Sequence, residues 1–455
     1  MKFPEDFVNC IVHGDSENVL KEIPENSVDL LVTDPPYGYS FMGKSWDKAL
    51  PSVDIWKECL RVLKPGAFAF IMSAPRSDVL SRVIVRIEDA GFRVNFSPIY
   101  WTYASGFPKA MNIGKMVDKR LGHTRKRVVG GVGTDEGYSG GFTPGEAISG
   151  EASSLNGSYG GFQPKPAVEV IIVAMKPLSE KTFVDQALKA SAVGPCGCYP
   201  GTTIVCSKHQ DERNKTGRGV TWLDDCRIPT NDDLMGGAYQ EKEGKTGAGE
   251  AYEGGFRYIN NYRQPTGRFP ANLLVSDDVL NDGKNYISSG GITENVPESA
   301  SVYGVYGITK TLKPADSGSY SRYFDLDTWW AKTYPFLIVP KASKGEKNDN
   351  LDDIEGKYMD ASREVGSPGG TNPRNRGAEK PRQNFHPTTK PIKLMSYLIT
   401  LGSRTDDIVL DPFSGSGTTP LAAHFLKRKY IGIEREKEYC EIARKRLKQR
   451  QEVLL

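Results

Sequence analysis

Several things are missing from this chain. No apolar run approaches the roughly 20 residues that a bilayer-crossing helix needs, so nothing calls for a membrane. Seven cysteines among 455 residues are too sparse and unevenly spaced for a secreted disulfide scaffold, leaving reduced thiols or a metal site as the expectations. The stretch Met1 to Val8, with Glu5 and Asp6, has neither the basic start nor the apolar core of a secretory signal, and the expected location is cytoplasmic. An excess of one charge is also lacking. Lys and Arg total 59 against 56 Asp and Glu, a formal net charge of +3. That balance does not announce a nucleic-acid partner, nor does it exclude one, because it can hide a basic cleft.

What is present is an α/β pattern at both ends. Val28 to Thr33 (VDLLVT) reads as a buried strand, stopped by Pro35 and Pro36, which cannot donate to a sheet ladder. A helix is expected over 52–63, a break at Lys64-Pro65-Gly66, a strand over 67–73, a helix over 77–90 and a strand over 93–103. Residues 129–163 are rich in Gly, Ser and Tyr with almost no apolar periodicity and cannot build a core alone. A strand at 169–176 and a helix at 180–189 follow. Residues 191–335 are long and polar, with short apolar segments such as Ala271 to Val275, and a further strand is expected at 336–339. Clear alternation returns with a helix at 392–401, a strand at 407–411, a helix at 418–426, a strand at 429–434 and a basic closing helix. The expected fold is one α/β sheet of parallel type assembled from both ends of the chain. The irregular middle then stands over the carboxyl edge of its strands, where such sheets bind ligands.

Two motifs carry chemistry. Asp411-Pro412-Phe413-Ser414-Gly415-Ser416-Gly417-Thr418-Thr419 joins a strand to a helix through two glycines. Glycine lets backbone approach a ligand and take positive φ, and the helix start offers free N–H groups and a positive dipole end. A tight turn with no ligand explains the glycines equally well. Glu434 then adds a carboxylate at the end of the next strand, the position that accepts from ribose hydroxyls in nucleoside-binding α/β folds. The third glycine of a dinucleotide fingerprint is absent, Leu421 and Ala422 standing nearby instead, which disfavours NAD.

The second motif is Asp34-Pro35-Pro36-Tyr37, at the end of the first buried strand. Acid-Pro-Pro is by itself an ordinary strand terminator. Its chemistry nevertheless suits an arylamine, whose lone pair is delocalised into its ring. The Asp34 carboxylate and the Pro35 carbonyl can each accept one N–H, turning the lone pair toward an electrophilic methyl, while Tyr37 stacks on the base.

Taken together, the two motifs resemble those of the amino-methyltransferases of DNA in the permuted order called the β group, where the catalytic motif precedes the cofactor motif. Phe41 to Trp46, Gly106 to Lys109 and Asn384-Phe385-His386-Pro387-Thr388-Thr389-Lys390-Pro391 add to the likeness, which is to phage or restriction-type members. The resemblance covers about the first 110 and last 75 residues, and the middle only in patches. It implies a seven-stranded, Rossmann-like sheet and transfer of methyl from S-adenosylmethionine to adenine N6 in double-stranded DNA. Aspartate at position 34 favours adenine over cytosine N4. Asp34, Pro35, Pro36 and Tyr37 would hold the target amine. Asp411, Pro412, Phe413, Gly415, Gly417 and Thr418 would contact the cofactor and Glu434 its ribose, with His386, Thr388 and Lys390 beside the methionine end and Asp15 near the adenine. Asp15 is equally readable as a helix cap, and His386 before Pro387 as a rigid turn.

The implied division is 1–118 and 384–455 as two halves of the catalytic domain, 119–168 as a flexible insertion, 169–190 as a return to the sheet and 191–383 as the target-recognition region. A duplex base must be extruded to react. Lys44, Lys109, Arg125, Lys126, Arg127, Arg374 and Arg376, with Lys119 and Arg120, are the candidate DNA contacts, a solvated face being the alternative for each cluster. A cognate restriction endonuclease would be a partner, and monomer and homodimer both stand open. Cys196, Cys198, Cys206 and His209, with Cys226 as a substitute, form a soft-ligand cluster suited to zinc, although the spacing is not that of a standard finger and unliganded thiols explain it as well. A DNA-binding subunit without catalysis is the rival of another class.

Overall fold

The fold is drawn from a computed structural model. It describes residues 2–39, 47–102, 111–123, 148–161, 168–188, 219–230, 267–276, 284, 286–288, 291–295, 309–313, 316–318, 324–333, 348, 351, 356, 383–384, 386 and 389–451. The chain divides into two compact units, 104–168 and the remainder.

Among the described residues, the larger unit is organised by a sheet of eight strands, one more than expected. Among the described strands, β1 is Cys10–His13, β2 Val28–Thr33, β3 Leu63–Ser73 and β4 Ile99–Thr102. In the smaller unit β5 is Met111–Asn112 and β6 Tyr159–Gly160. Next come β7, Val168–Met175, and β8, Leu273–Val275. Two small ribbons follow, made of β9 (Tyr286–Ser288), β10 (Gly291–Asn295), β11 (Thr309–Lys313) and β12 (Asp316–Gly318). The sheet is completed by β13, Ile408–Asp411, and β14, Lys429–Glu434. Its order is β1-β14-β13-β2-β3-β7-β4-β8.

The first five strands in that order run parallel. β7 corrects the all-parallel expectation, because it pairs antiparallel with β3. The strand expected from residue 67 begins at Leu63 and runs through Pro65 and Gly66. The register against β2 steps from Val28↔Leu63 to Leu30↔Phe68, so the expected break is an irregularity within the strand, where Pro and Gly belong. At 93–103 the described strand is shorter, Ile99–Thr102, with Arg93 forming an isolated bridge to Met175.

Strand periodicity builds a core on each face. From β2 and β3, Leu30, Val32, Phe68, Phe70 and Met72 pack on one side with a buried helix, Ile392–Gly402. Leu31, Ala69 and Ile71 face the opposite side, against Val19 and Leu20 of helix Ser16–Lys21, Trp56 and Val62 of Val53–Val62, and Val83 and Ile87 of Ser77–Asp89. The result is a sheet between two helical layers, as expected for α/β patterning. In unit 104–168, Asn112 and Ser149 cap helices Ile113–Arg120 and Gly150–Ser154. There Asp118, 1% exposed, accepts from the Ile148 and Ser149 N–H groups at 3.2 and 3.0 Å. Part of the stretch expected to lack order is therefore structured.

Candidate active site

The winding of the sheet reverses between β13 and β2. From β13 the chain passes through helix Thr418–Phe425 to β14 on one side. From β2 it passes through helix Val53–Val62 to β3 on the other. β13 and β2 are neighbours, paired Val409↔Leu30 and Leu410↔Leu31. A crevice outside the carboxyl ends of such a pair is where open α/β sheets bind ligands. The residues leaving these two strands are Asp411 and Asp34, which open the two motifs.

A buried hydrogen bond joins the strand ends, Thr33 Oγ1 donating to Asp411 Oδ1 at 2.6 Å. Burial pushes the Asp411 carboxyl up to about 6, against the pull of hydrogen bonds from Thr33, Thr419 and the Phe413 N–H.

On the β2 side, the Tyr37 hydroxyl donates to Asp34 Oδ1 at 2.6 Å. Lys390 Nζ sits 2.5 Å from Asp34 Oδ2 and 3.3 Å from Glu169 Oε2. Burial alone would lower the Lys390 ammonium, but the Asp34 and Glu169 carboxylates outweigh it and hold it above its ordinary range. Asp47, 3% exposed, gathers the loop: its carboxylate accepts from the backbone N–H groups of Tyr37, Gly38 and Tyr39 at 2.7, 2.9 and 3.2 Å. Backbone N–H groups converging on one carboxylate fix a loop through charge-assisted bonds.

On the β13 side, Gly415 and Gly417 take φ of +53° and +79°, the left-handed region that glycine enters without penalty. The space is tight as well. A Cβ on Gly415 would lie 2.7 Å from His386 Nε2, and one on Gly417 would lie 2.8 Å from the Ala443 Cβ. The Glu434 carboxylate accepts from Gly415 N and Glu436 N at 2.8 and 2.7 Å. Burial raises its carboxyl, opposed by those backbone donors. Each carboxylate oxygen can accept twice, so these bonds are compatible with a ribose hydroxyl on the same group. From the last helix, Arg446, 1% exposed, donates to the Ser416 carbonyl at 2.6 Å and the Thr418 hydroxyl at 3.3 Å. Phe413 packs edge-on against Trp56, with centroids 6.1 Å apart.

The segment ending at Lys390 spans both sides. His386 stands against the glycine turn and edge-on to Tyr439, with centroids 4.6 Å apart, while Lys390 reaches Asp34. Asp34, Tyr37, His386, Lys390, Asp411, Phe413, Gly415, Gly417, Thr418 and Glu434 thus gather around the paired ends of β2 and β13. Asp15 caps helix Ser16–Lys21, accepting from Glu17 N at 3.0 Å. Ser16 beside it donates to the Pro412 carbonyl.

Asp47, Glu169, Arg446, Ser16 and Tyr439 were not anticipated. Thr388, Lys44, Lys109, Arg125, Lys126, Arg127, Arg374 and Arg376 lie outside the described residues, as do Cys196, Cys198, Cys206 and His209 and the strand expected at 336–339. Cys226 does not fit the ligand role: it is a buried free thiol facing the Tyr397 carbonyl at 3.9 Å, and burial, with Asp225 beside it, pushes the thiol up. Among the described residues no group of three His, Cys, Asp or Glu could hold a metal, and no helix is long and apolar enough to cross a membrane.

A glycine turn on one side of the reversal thus stands beside an acid-Pro-Pro-Tyr loop on the other. The chain belongs to the N6_N4_Mtase family of DNA methylases, whose model matches residues 28–445. It is similar to the type II methyltransferase M2.MboI of Moraxella bovis, 49% identical over 70 residues, which is 15% of this chain and 26% of that one. It is also similar to the type II methyltransferase M.HinfI of Haemophilus influenzae, 50% identical over 64 residues, 14% and 18% of the two chains. The aligned stretches thus span about a quarter or less of these curated relatives. Among solved structures, the cytosine-N4-specific PvuII DNA methyltransferase matches with a TM-score of 0.38 and 15% identity over 97% of this chain and 89% of that one. The M1.HpyAVI–SAM complex matches with a TM-score of 0.35 and 16% identity over 96% and 98%.

Proposed function

We propose that this chain is a site-specific DNA methyltransferase that moves the methyl group of S-adenosylmethionine to N6 of an adenine extruded from double-stranded DNA. The observation that carries the reading is the meeting of the two motif loops at the ends of β13 and β2, tied by the Thr33–Asp411 bond. Family membership supports it. The order of the motifs, Asp34 to Tyr37 first and Asp411 to Gly417 last, is that of the permuted β group, and the relatives' names as type II methyltransferases favour a restriction-modification setting.

The cofactor fits the turn. Gly415 and Gly417 leave backbone bare where a side chain would collide, and Glu434 stands at the end of β14 to accept from a ribose. When bound, S-adenosylmethionine supplies a methyl carbon on a sulfonium. The chain's own residues prepare the acceptor. The Asp34 carboxylate takes one amine N–H, the Pro35 carbonyl takes the other, and Tyr37 stacks on the base. Its hydroxyl, bonded to Asp34 Oδ1, holds that carboxylate in place. Two fixed acceptors draw the nitrogen toward tetrahedral geometry, and the negative carboxylate favours the positive charge that arrives on it. The proton that the amine gives up on methylation would pass to the Asp34 carboxylate and then to solvent.

The test is transfer of labelled methyl from S-adenosylmethionine to unmethylated DNA, followed by single-molecule sequencing of the product. Wild type labels DNA at adenine in a fixed context, and Asp34→Ala loses about 10³-fold or more of the rate. Label on cytosine N4 would replace the base assignment while keeping the chemistry. DNA binding without transfer would replace the enzyme by a binding subunit.

A further inference from the structure

In the structure both oxygens of Asp34 are engaged, Oδ1 by the Tyr37 hydroxyl and Oδ2 by Lys390. An amine N–H arriving at Oδ2 meets a full positive charge already on it. Each oxygen can accept a second bond, but an ammonium held on Oδ2 opposes the positive charge that develops on the amine, so the reaction is favoured when Lys390, its side chain only 10% exposed, turns away. A buried ammonium that leaves its carboxylate with no second one is strongly unfavourable. The second carboxylate is present. Glu169, the second residue of β7 and 18% exposed in its side chain, has Oε2 at 3.3 Å from the same Nζ. Lys390 also lies 5.7 Å from the centre of the Tyr37 ring, so the ammonium borders the surface expected to stack on the base.

We propose that Glu169 is a positioning residue, the seat that receives the Lys390 ammonium when the target base enters and so releases Asp34 Oδ2 to accept the amine. The proposal rests on the methyltransferase reading. Charge counting gives the same answer: two carboxylates and one ammonium sum to −1. With Lys390 turned to Glu169, Asp34 meets the base as an uncompensated anion, matched to the charge that develops on nitrogen. A neutral group at 169 leaves Asp34 and Lys390 locked as a neutral pair.

The test is steady-state kinetics of the full chain with labelled S-adenosylmethionine and unmethylated DNA, comparing wild type, Glu169→Gln, Glu169→Asp, Lys390→Met and the double variant Glu169→Gln with Lys390→Met. Glu169→Gln is expected to lower kcat by about 10- to 100-fold with KM for DNA held within about twofold, the mark of an interaction used in the transition state. Glu169→Asp, which keeps the charge but sets it back, gives an intermediate kcat. Without the cation there is nothing to seat, so the double variant has a kcat within about threefold of Lys390→Met alone. A wild-type kcat in Glu169→Gln, or effects that multiply in the double variant, overturns the proposal. If Glu169→Gln does not fold, Glu169→Asp decides: lowered kcat at constant KM supports the seat, and wild-type kcat removes it. Wild type that transfers no methyl to DNA removes the function and the seat together, whereas active wild type with an equally fast Glu169→Gln removes the seat alone.

Discussion

The two loops that meet at β2 and β13 are built differently. The loop after β2 is held by side chains: Asp47 gathers three backbone N–H groups, and Tyr37 and Lys390 fix Asp34. The loop after β13 also depends on close backbone packing, its glycines at positive φ seated where a Cβ would collide, while the Glu434 and Arg446 side chains bond to its main-chain atoms. On the proposed function the contrast has a use: a loop that grips a reacting amine needs charged groups at fixed places, whereas a loop beside a nucleoside needs close backbone approach. Damage to the first should therefore appear in the rate of transfer, and damage to the second in cofactor affinity.

The largest expected effect that breaks this contrast is at Asp47. Asp47→Ala leaves three loop N–H groups without their carboxylate, and misplacement of about 1 Å lowers kcat by about 100-fold. Binding of S-adenosylmethionine by calorimetry stays within about twofold; a matching loss of cofactor affinity would show that the loops are not separable. Gly415→Ala is next. Strain at positive φ of about 1–2 kcal/mol, with the collision at His386, raises the S-adenosylmethionine Kd about tenfold while KM for DNA is unchanged. The last effect is on stability rather than on rate or affinity, and it lies at the seam. Asp411 has its carboxyl raised from 3.8 to about 6, so the folded state holds the proton more tightly than the unfolded chain. Its contribution is fully present below about pH 4 and is lost as pH rises through about 6, by about 3 kcal/mol from that shift. Asp411→Asn keeps an acceptor for Thr33 and removes this loss. In denaturant melts the variant therefore gains on wild type between pH 5 and pH 7.5; a constant difference would mean that Asp411 does not titrate there.

The parts of the site written in local sequence were legible. Val28 to Thr33 is a buried strand by its unbroken apolar run, and the glycine turn with Glu434 announced itself by spacing. β1 was missed because Cys10–His13 is four residues long, with only Ile11 and Val12 buried, too short for a periodic signal. The direction of β7 was not legible, since a strand buried on both faces has the same composition whichever way it runs. Asp47 and Glu169 were invisible for a different cause. Their roles come from partners brought by the fold, loop N–H groups at Tyr37, Gly38 and Tyr39 for one and a lysine far along the chain for the other. No local pattern records such meetings.

The pairing of β2 with β13 also sets the order of assembly during synthesis. Leu30 and Leu31 are made early, and the residues they register against, Val409 and Leu410, nearly 380 positions later. Until those residues leave the ribosome, β2 has an open edge on that side, a template for any stray strand. A chain interrupted before position 408 retains Asp34 to Tyr37 but has no crevice for them to line. Maturation of this site is thus a late event in the life of the nascent chain, and contacts of such sequence separation make slow folding the expectation.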